Sequence, residues 1–100
     1  MYEHIVLFKF NEKGTTEKQE QAIRQVQSFK GNIPGIVELS AGINETEETA
    51  NMNGYALGIR VTFQDQQACR DYMNHPLHQE LLQSVGPLVD NVVVVDYPII

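Results

Sequence analysis

Hydrophobic positions repeat with period two in four stretches of the chain and with a helical period in the stretches between them. At residues 2–10 the alternation places His4, Val6 and Phe8 on one face, which predicts a strand. The same period predicts strands at about 37–43, 55–63 and 92–97. Helical spacing at about 17–30 and again between 66 and 85 predicts helices. The elements therefore follow one another in the order β-α-β-β-α-β.

This order is typical of an α+β domain with the ferredoxin-like arrangement, in which a four-stranded antiparallel sheet carries both helices on one face. The residue before a proline avoids the helical region, so His75-Pro76 should break the second helix in two. Asp65 is placed to cap the first of the two pieces, and Thr16 with Gln19 forms a capping box for the helix at 17–30. Residues 1–100 are predicted to form one domain of this kind.

A second apolar face on the predicted sheet indicates that two subunits associate. Ile5 and Leu7 lie on the face opposite His4, and the four valines at 92–95 make the last strand apolar on both faces. A sheet with helices on one face only is expected to be polar on the other. An apolar patch of this size is unusual on a monomer. The pattern therefore predicts a homodimer whose sheet faces press together.

Composition narrows the classes of partner and compartment. The net charge is −6 and the seven basic residues are scattered, no two adjacent, which disfavours nucleic acid as a partner. No stretch approaches the ~20 consecutive apolar residues of a membrane span, and the N-terminus lacks the basic region of a signal peptide. Cys69 is the only cysteine, which fits a reducing compartment. We expect a soluble, cytoplasmic protein without nucleic-acid or membrane partners.

The segment 71–78 concentrates the chemistry of the chain, because it places one tyrosine and two histidines at the predicted helix break. His78 lies in helical register with Leu81 and should face the sheet, where His4 stands in the first strand. An imidazole with a pKa near neutrality is suited to remove a proton from a carbon between two carbonyls. The Tyr72 hydroxyl is suited to hold the developing enolate oxygen or to orient the imidazole. His78, Tyr72 and His4 are thus the candidate catalytic residues, and their chemistry requires no metal and no cofactor.

Each of these residues also has a purely structural interpretation. His78 would then be a core histidine bonded to a backbone carbonyl or to Tyr72, and His4 a satisfied inward-facing polar residue. His75 is expected to bond locally beside the proline, and Cys69 to pack in the core. The two histidines of the segment lack further soft ligands beside them, so no transition-metal site is expected.

Five stretches of the sequence are similar to one known family. They run in the same order and cover nearly the whole chain, and the Tyr-x-x-His-Pro-x-His block is the most specific of them: residues 4–10, 33–36, 42–44, 72–78 and 96–97. On these residues the chain resembles the stress-responsive A/B barrel domain (Dabb) family. The resemblance implies two sheets that close into a dimeric α+β barrel, helices outside it, and a cavity between sheet and helices within each subunit.

A catalytic branch of that family, the plant polyketide cyclases, closes a linear poly-β-keto chain by an intramolecular aldol reaction. Its Tyr/His pair matches Tyr72 and His78, and its first-strand histidine matches His4. Its third-strand histidine falls at Leu57 and its first-helix tyrosine at Val26. These two replacements predict a more apolar pocket in this chain.

Three functions from different classes remain open. The first, which we expect, is the binding of a small hydrophobic ligand between sheet and helices. The second is a cofactor-free lyase or cyclase that acts on β-keto compounds through Tyr72 and His78. The third is a structural, stress-associated dimer in which the motif only fixes the helix break. For the first two, the residues predicted to line the cavity beside the polar groups are Val6, Phe8, Ile23, Val26, Leu57, Ile59 and Leu81.

Overall fold

Four strands and three helices follow the predicted order in the computed structural model, which describes all of residues 1–100. The strands are β1 (Tyr2–Phe10), β2 (Ile36–Ile43), β3 (Tyr55–Phe63) and β4 (Val89–Pro98). The helices are α1 (Thr16–Gln27), α2 (Gln66–Met73) and α3 (Pro76–Val85). The predicted α+β, ferredoxin-like class is confirmed, including the division of the second helix.

The sheet is antiparallel throughout, with the strands side by side in the order β2-β3-β1-β4. The first strand is therefore central, and its neighbours come from distant parts of the chain. His4 lies opposite Val61 on one side and Asp96 on the other. Val6 lies between Ile59 and Val94 in the same way. Because residues directly opposite share a face, these side chains stand together on the side that carries the helices.

The helices cover the predicted face of the sheet and enclose the core there. The buried apolar side chains alternate along β1 and β3 and are met by the apolar stripes of the helices. Five apolar side chains of the core are fully enclosed: Val26, Phe29, Leu57, Val61 and Phe63.

The junction between α2 and α3 forms as the proline rule predicts. His75 has an extended backbone, φ −70° and ψ 139°, and Pro76 is the first residue of α3. The His75 ring caps the new helix, because its Nδ1 accepts a hydrogen bond from the Leu77 N–H at 3.1 Å. At the other end of α2, the Asp65 carboxylate accepts from the Ala68 N–H at 2.9 Å, as predicted.

The first helix begins and ends differently from the prediction. Thr15, not Thr16, is the N-cap, and its hydroxyl accepts from the Lys18 N–H at 3.3 Å. Gln19 donates instead to the Gly14 carbonyl at 2.8 Å, so the predicted capping box does not form. The helix stops at Gln27, before its predicted end, because the chain there turns to bury two further apolar side chains.

A glycine sets how closely α2 approaches the turn before β2. Gly35 has φ +86°, and a Cβ at this position would lie 2.5 Å from the Cβ of Ala68. Its carbonyl accepts from the Gln64 N–H at 2.9 Å. A side chain at position 35 would thus clash with Ala68 and displace α2.

The face of the sheet without helices is apolar and open along part of β1 and along β4. Leu7 is 37% exposed, and Val95 and Tyr97 are exposed on β4. Two valines on the helix side, Val92 and Val94, are exposed as well, because β4 is an edge strand that the helices do not cover. The predicted second apolar surface is therefore present. No helix is long and apolar enough to span a membrane.

Candidate functional site

A cavity of about 250 Å³ lies between the β1–β4 side of the sheet and the helices α2 and α3. Most of its wall is apolar, and its polar side chains are the three predicted catalytic candidates: His4, Tyr72 and His78. Four of the predicted apolar lining residues also belong to it, namely Val6, Phe8, Ile59 and Leu81. The remaining lining residues, which the sequence did not indicate, are Met73, Leu82, Val92 and Val94.

Three predicted lining residues lie outside this cavity. Val26 and Leu57 are fully buried in the core, and Ile23 is partly buried against it. The reason is the position of α1, which packs toward β2 at the far side of the sheet, whereas the cavity opens toward β4. The replacements relative to the plant cyclases at Leu57 and Val26 therefore do not alter the wall of this cavity.

His78 is held by the backbone of the preceding helix. Its Nδ1 lies 3.1 Å from the Met73 carbonyl oxygen, which only accepts, so Nδ1 carries the proton and donates. Nε2 is then the unprotonated nitrogen, available to a proton donor in the cavity. Burial lowers the pKa of His78 below its ordinary value of 6.5, the hydrogen bond to Met73 opposes the shift, and the charge on His4 adds to it. His78 is thus a neutral base at neutral pH.

Tyr72 stands between the two histidines. Its ring centroid lies 4.3 Å from that of His78 and 5.8 Å from that of His4. The ring of Phe63 supports it from the sheet at 5.1 Å. Burial raises the pKa of the Tyr72 phenol, and a small contribution from Cys69 acts in the same direction. The hydroxyl therefore stays protonated and is able to donate a hydrogen bond.

His4 is fixed by a carboxylate from the edge strand. Its Nδ1 lies 2.5 Å from Oδ1 of Asp96, its cross-strand neighbour, and donates to it. His4 is buried, whereas the Asp96 side chain is 31% exposed. A carboxylate that accepts from one nitrogen sets the tautomer of a neutral imidazole, so the other nitrogen is unprotonated. This pair could not be predicted from the sequence, because only the β1–β4 register brings the two residues together.

Cys69 lies one helical turn before Tyr72 and meets the same pair. One donor atom each of His4, Cys69 and Asp96 lie within 4.8 Å of one another. Burial, with the charge of Asp96 acting in the same direction, raises the pKa of the Cys69 thiol to about 11. The thiol is therefore protonated, as expected for a core cysteine. These three residues are the group that would suit a metal ion, whereas the ring of His75 is engaged in capping α3.

A larger concave surface lies on the face of the sheet without helices. This outer groove has a volume of about 590 Å³ and runs beside the 44–54 loop. It contains no histidine, and its six apolar residues include the predicted lining residue Leu57: Leu7, Ile43, Met52, Tyr55, Leu57 and Val93. The outer groove therefore has a large surface but no imidazole that could act as a base. The cavity, in contrast, combines an apolar wall with a neutral imidazole and a phenol donor.

Sequence comparison places the chain among known relatives. A family model, the stress responsive A/B barrel domain (Dabb), matches residues 2–99. A stress-response A/B barrel domain-containing protein of Arabidopsis thaliana is 20% identical over 98 residues, which cover 98% of this chain and 86% of that protein. Olivetolic acid cyclase of Cannabis sativa is 25% identical over 75 residues, which cover 75% of this chain and 73% of the cyclase.

Solved structures share the fold over the whole chain. The Arabidopsis thaliana protein At3g17210 superposes with a TM-score of 0.88 at 25% identity, covering all of this chain and 96% of the other. A dimeric ferredoxin-like protein of unknown function from Thermobifida fusca superposes with a TM-score of 0.86 at 23% identity, and the match covers 98% of this chain and 90% of that chain. With the family model spanning nearly every residue, the chain belongs to the stress-responsive A/B barrel domain (Dabb) family.

Proposed function

We propose that this protein binds a small, mostly apolar molecule in the cavity formed by α2, α3 and the β1–β4 side of the sheet. The observation that carries the proposal is the composition of the wall, with three polar side chains together in an otherwise apolar chamber. A dry cavity of ~150 Å³ holds a benzene molecule. The larger volume of about 250 Å³ therefore suits a single aromatic ring with a short alkyl chain, or a short acyl chain.

The polar residues would orient such a ligand. Nε2 of His78 is placed to accept a hydrogen bond from a ligand hydroxyl, since Nδ1 is already engaged. The buried Tyr72 hydroxyl is placed to donate one to a ligand oxygen. A hydroxylated or carbonyl-bearing ring satisfies both groups, whereas a plain hydrocarbon leaves them without partners.

The same proposal includes a homodimer formed through the sheet faces. The support is the exposed apolar surface around Leu7 and Val95, together with the dimeric description of the Thermobifida fusca relative. Such an association would cover the outer groove and the apolar face of β4. The cavity lies on the helix side of each subunit.

Titration with 4-propylphenol tests the ligand proposal. We expect saturable binding of one molecule per chain, followed by ¹H–¹⁵N chemical shifts. Tyr72→Phe and His78→Asn should each weaken binding about 5-fold, the equivalent of the ~1 kcal/mol of one hydrogen bond. Two variants serve as matched controls: His75→Asn removes the imidazole that caps α3, and Tyr55→Phe removes a hydroxyl in the outer groove.

Controls should bind like the parent protein. Binding that does not saturate would contradict the proposal. Equal weakening by Tyr72→Phe and Tyr55→Phe would contradict it too, because the hydroxyl in the cavity would then have no special part.

A second candidate function is a cofactor-free lyase or cyclase that acts on β-keto substrates. The specific observation in its favour is the tautomer of His78, a neutral imidazole whose free nitrogen shares the cavity with a phenol donor. His78 would remove a proton from the carbon between two carbonyls, and Tyr72 would hold the enolate oxygen. The similarity to olivetolic acid cyclase, 25% identical over 75 residues, also supports this candidate.

Turnover of a β-keto thioester separates the two candidates. If the protein is a lyase or cyclase, His78→Asn should abolish turnover while a bound substrate analogue still protects the variant against thermal unfolding. Turnover that survives in His78→Asn would exclude the acid–base role. A parent protein that binds 4-propylphenol and leaves the thioester intact would favour ligand binding alone.

A further inference from the structure

Three metal-ligating side chains from three different elements converge beside the cavity. His4 comes from the middle of the sheet, Cys69 from α2 and Asp96 from the edge strand. One donor atom from each lies within 4.8 Å of the other two. Donors bound to one Zn²⁺ ion at ~2.0–2.3 Å are separated by roughly 3–4 Å. Small side-chain rotations are enough to bring this group to that spacing.

We propose that His4, Cys69 and Asp96 bind a divalent transition-metal ion of the Zn²⁺ class. A thiolate and an imidazole favour Zn²⁺ or Co²⁺ over the hard ions Mg²⁺ and Ca²⁺, which take oxygen ligands. The charges also balance, since one thiolate and one carboxylate neutralise a divalent ion. A neutral centre costs less to bury than an isolated charge, and two of the three ligands are buried.

Binding must exchange protons for the metal. The Cys69 thiol loses its proton to solvent, and the His4 ring proton moves from Nδ1, where it is bonded to Asp96, to Nε2. The metal compensates for both changes, because it stabilises a thiolate that the buried site otherwise keeps protonated. The carboxylate rotates away from the histidine nitrogen to the donor spacing that the ion requires, and it bonds to the ion instead of the N–H.

The site shares His4 with the cavity, but not the two residues proposed to bond the ligand. Cys69 does not line the cavity, and neither His78 nor Tyr72 belongs to the three donors. Three protein ligands leave a fourth tetrahedral position for water, as in zinc sites that are not purely structural.

Titration of the reduced, metal-free protein with Co²⁺ tests the proposal. We expect one Co²⁺ per chain, visible ligand-field bands of a tetrahedral centre and a near-ultraviolet thiolate-to-cobalt charge-transfer band. Cys69→Ala should abolish the charge-transfer band. Asp96→Asn and His4→Asn should each weaken Co²⁺ binding more than the ~10-fold typical for loss of an outer-sphere partner.

Matched controls remove the same chemical groups elsewhere. Asp90→Asn removes an exposed carboxylate from the same strand, and His75→Asn removes an imidazole that caps α3. Both should bind Co²⁺ like the parent protein. Absence of the charge-transfer band would overturn the proposal. An affinity for Co²⁺ that is unchanged in Asp96→Asn would overturn it as well. If His4→Asn fails to fold, Asp96→Asn alone decides whether the proposal stands.

Discussion

At the scale of single residues, the neutral His78 carries most of the chemistry proposed for the cavity. The helical register of the sequence correctly placed it toward the sheet, and it lines the cavity there. Its tautomer was not accessible from the sequence, because it depends on the Met73 carbonyl at the end of the preceding helix. That carbonyl is free to accept because the helix stops at Met73.

The lowered pKa of His78 predicts a specific pH dependence of stability. Between that pKa and 6.5 the unfolded chain binds more protons than the folded chain, so the free energy of unfolding should fall as the pH drops through this window. Urea unfolding at about pH 7.5 and about pH 5, at one protein concentration, measures it. His78→Asn should lose this part of the pH dependence, whereas His75→Asn should keep it. Equal pH dependence of parent and His78→Asn would contradict the lowered pKa.

The polar partners of the site show where prediction from sequence stops at this scale. His4 was placed on the inward face by alternation alone, and the structure agrees. Asp96 has the correct parity for the same face, yet its contact with His4 requires the register of β4 against β1. Cys69 was correctly predicted as a buried residue, but its position beside that pair depends on how α2 packs on the sheet.

At the scale of elements, local signals predicted the helix break better than the helix ends. Pro76 requires an extended residue before it, and this rule is independent of tertiary packing. The cap of α1 fell one residue earlier than predicted, on Thr15, because adjacent threonines offer two similar caps. Helical spacing also predicted a further turn at the end of α1. In the structure the helix has already ended there, and Phe29 packs into the core.

The cap at the helix break should contribute measurable stability. His75→Ala removes the acceptor for the Leu77 N–H and should lower the free energy of unfolding by about 1 kcal/mol. His75→Asn supplies another acceptor and should change it little. Urea unfolding at neutral pH measures both variants. Equal stability of the two would show that the ring of His75 does not act as a cap.

At the scale of the whole molecule, the apolar pattern predicted both the sheet and its unpaired face. The fold was predicted because strand alternation, helix spacing and turn residues all indicated the same order. The position of the cavity was predicted only in part. Ile23, Val26 and Leu57 have the inward pattern of lining residues, but which inward residues border empty space depends on how the helices are distributed over the sheet.

The proposed dimer predicts the effect of a charge on the open sheet face. Leu7→Glu should convert the dimer into a monomer, because association would bury unpaired carboxylates. Size-exclusion chromatography with light scattering at micromolar concentration measures the mass. Gln27→Glu adds the same charge on the exposed side of α1 and should leave the dimer intact. A monomeric parent protein would contradict the interpretation of the open face.

Locating a bound ligand is the most direct test of the proposal that the cavity beside His78 is the binding site. Intermolecular nuclear Overhauser effects between 4-propylphenol and labelled methyl groups distinguish the two concave surfaces. We expect contacts with Val6 and Leu81, which line the cavity beside His78. Contacts with Leu7 and Val93 in the outer groove, and none with Val6 or Leu81, would contradict it.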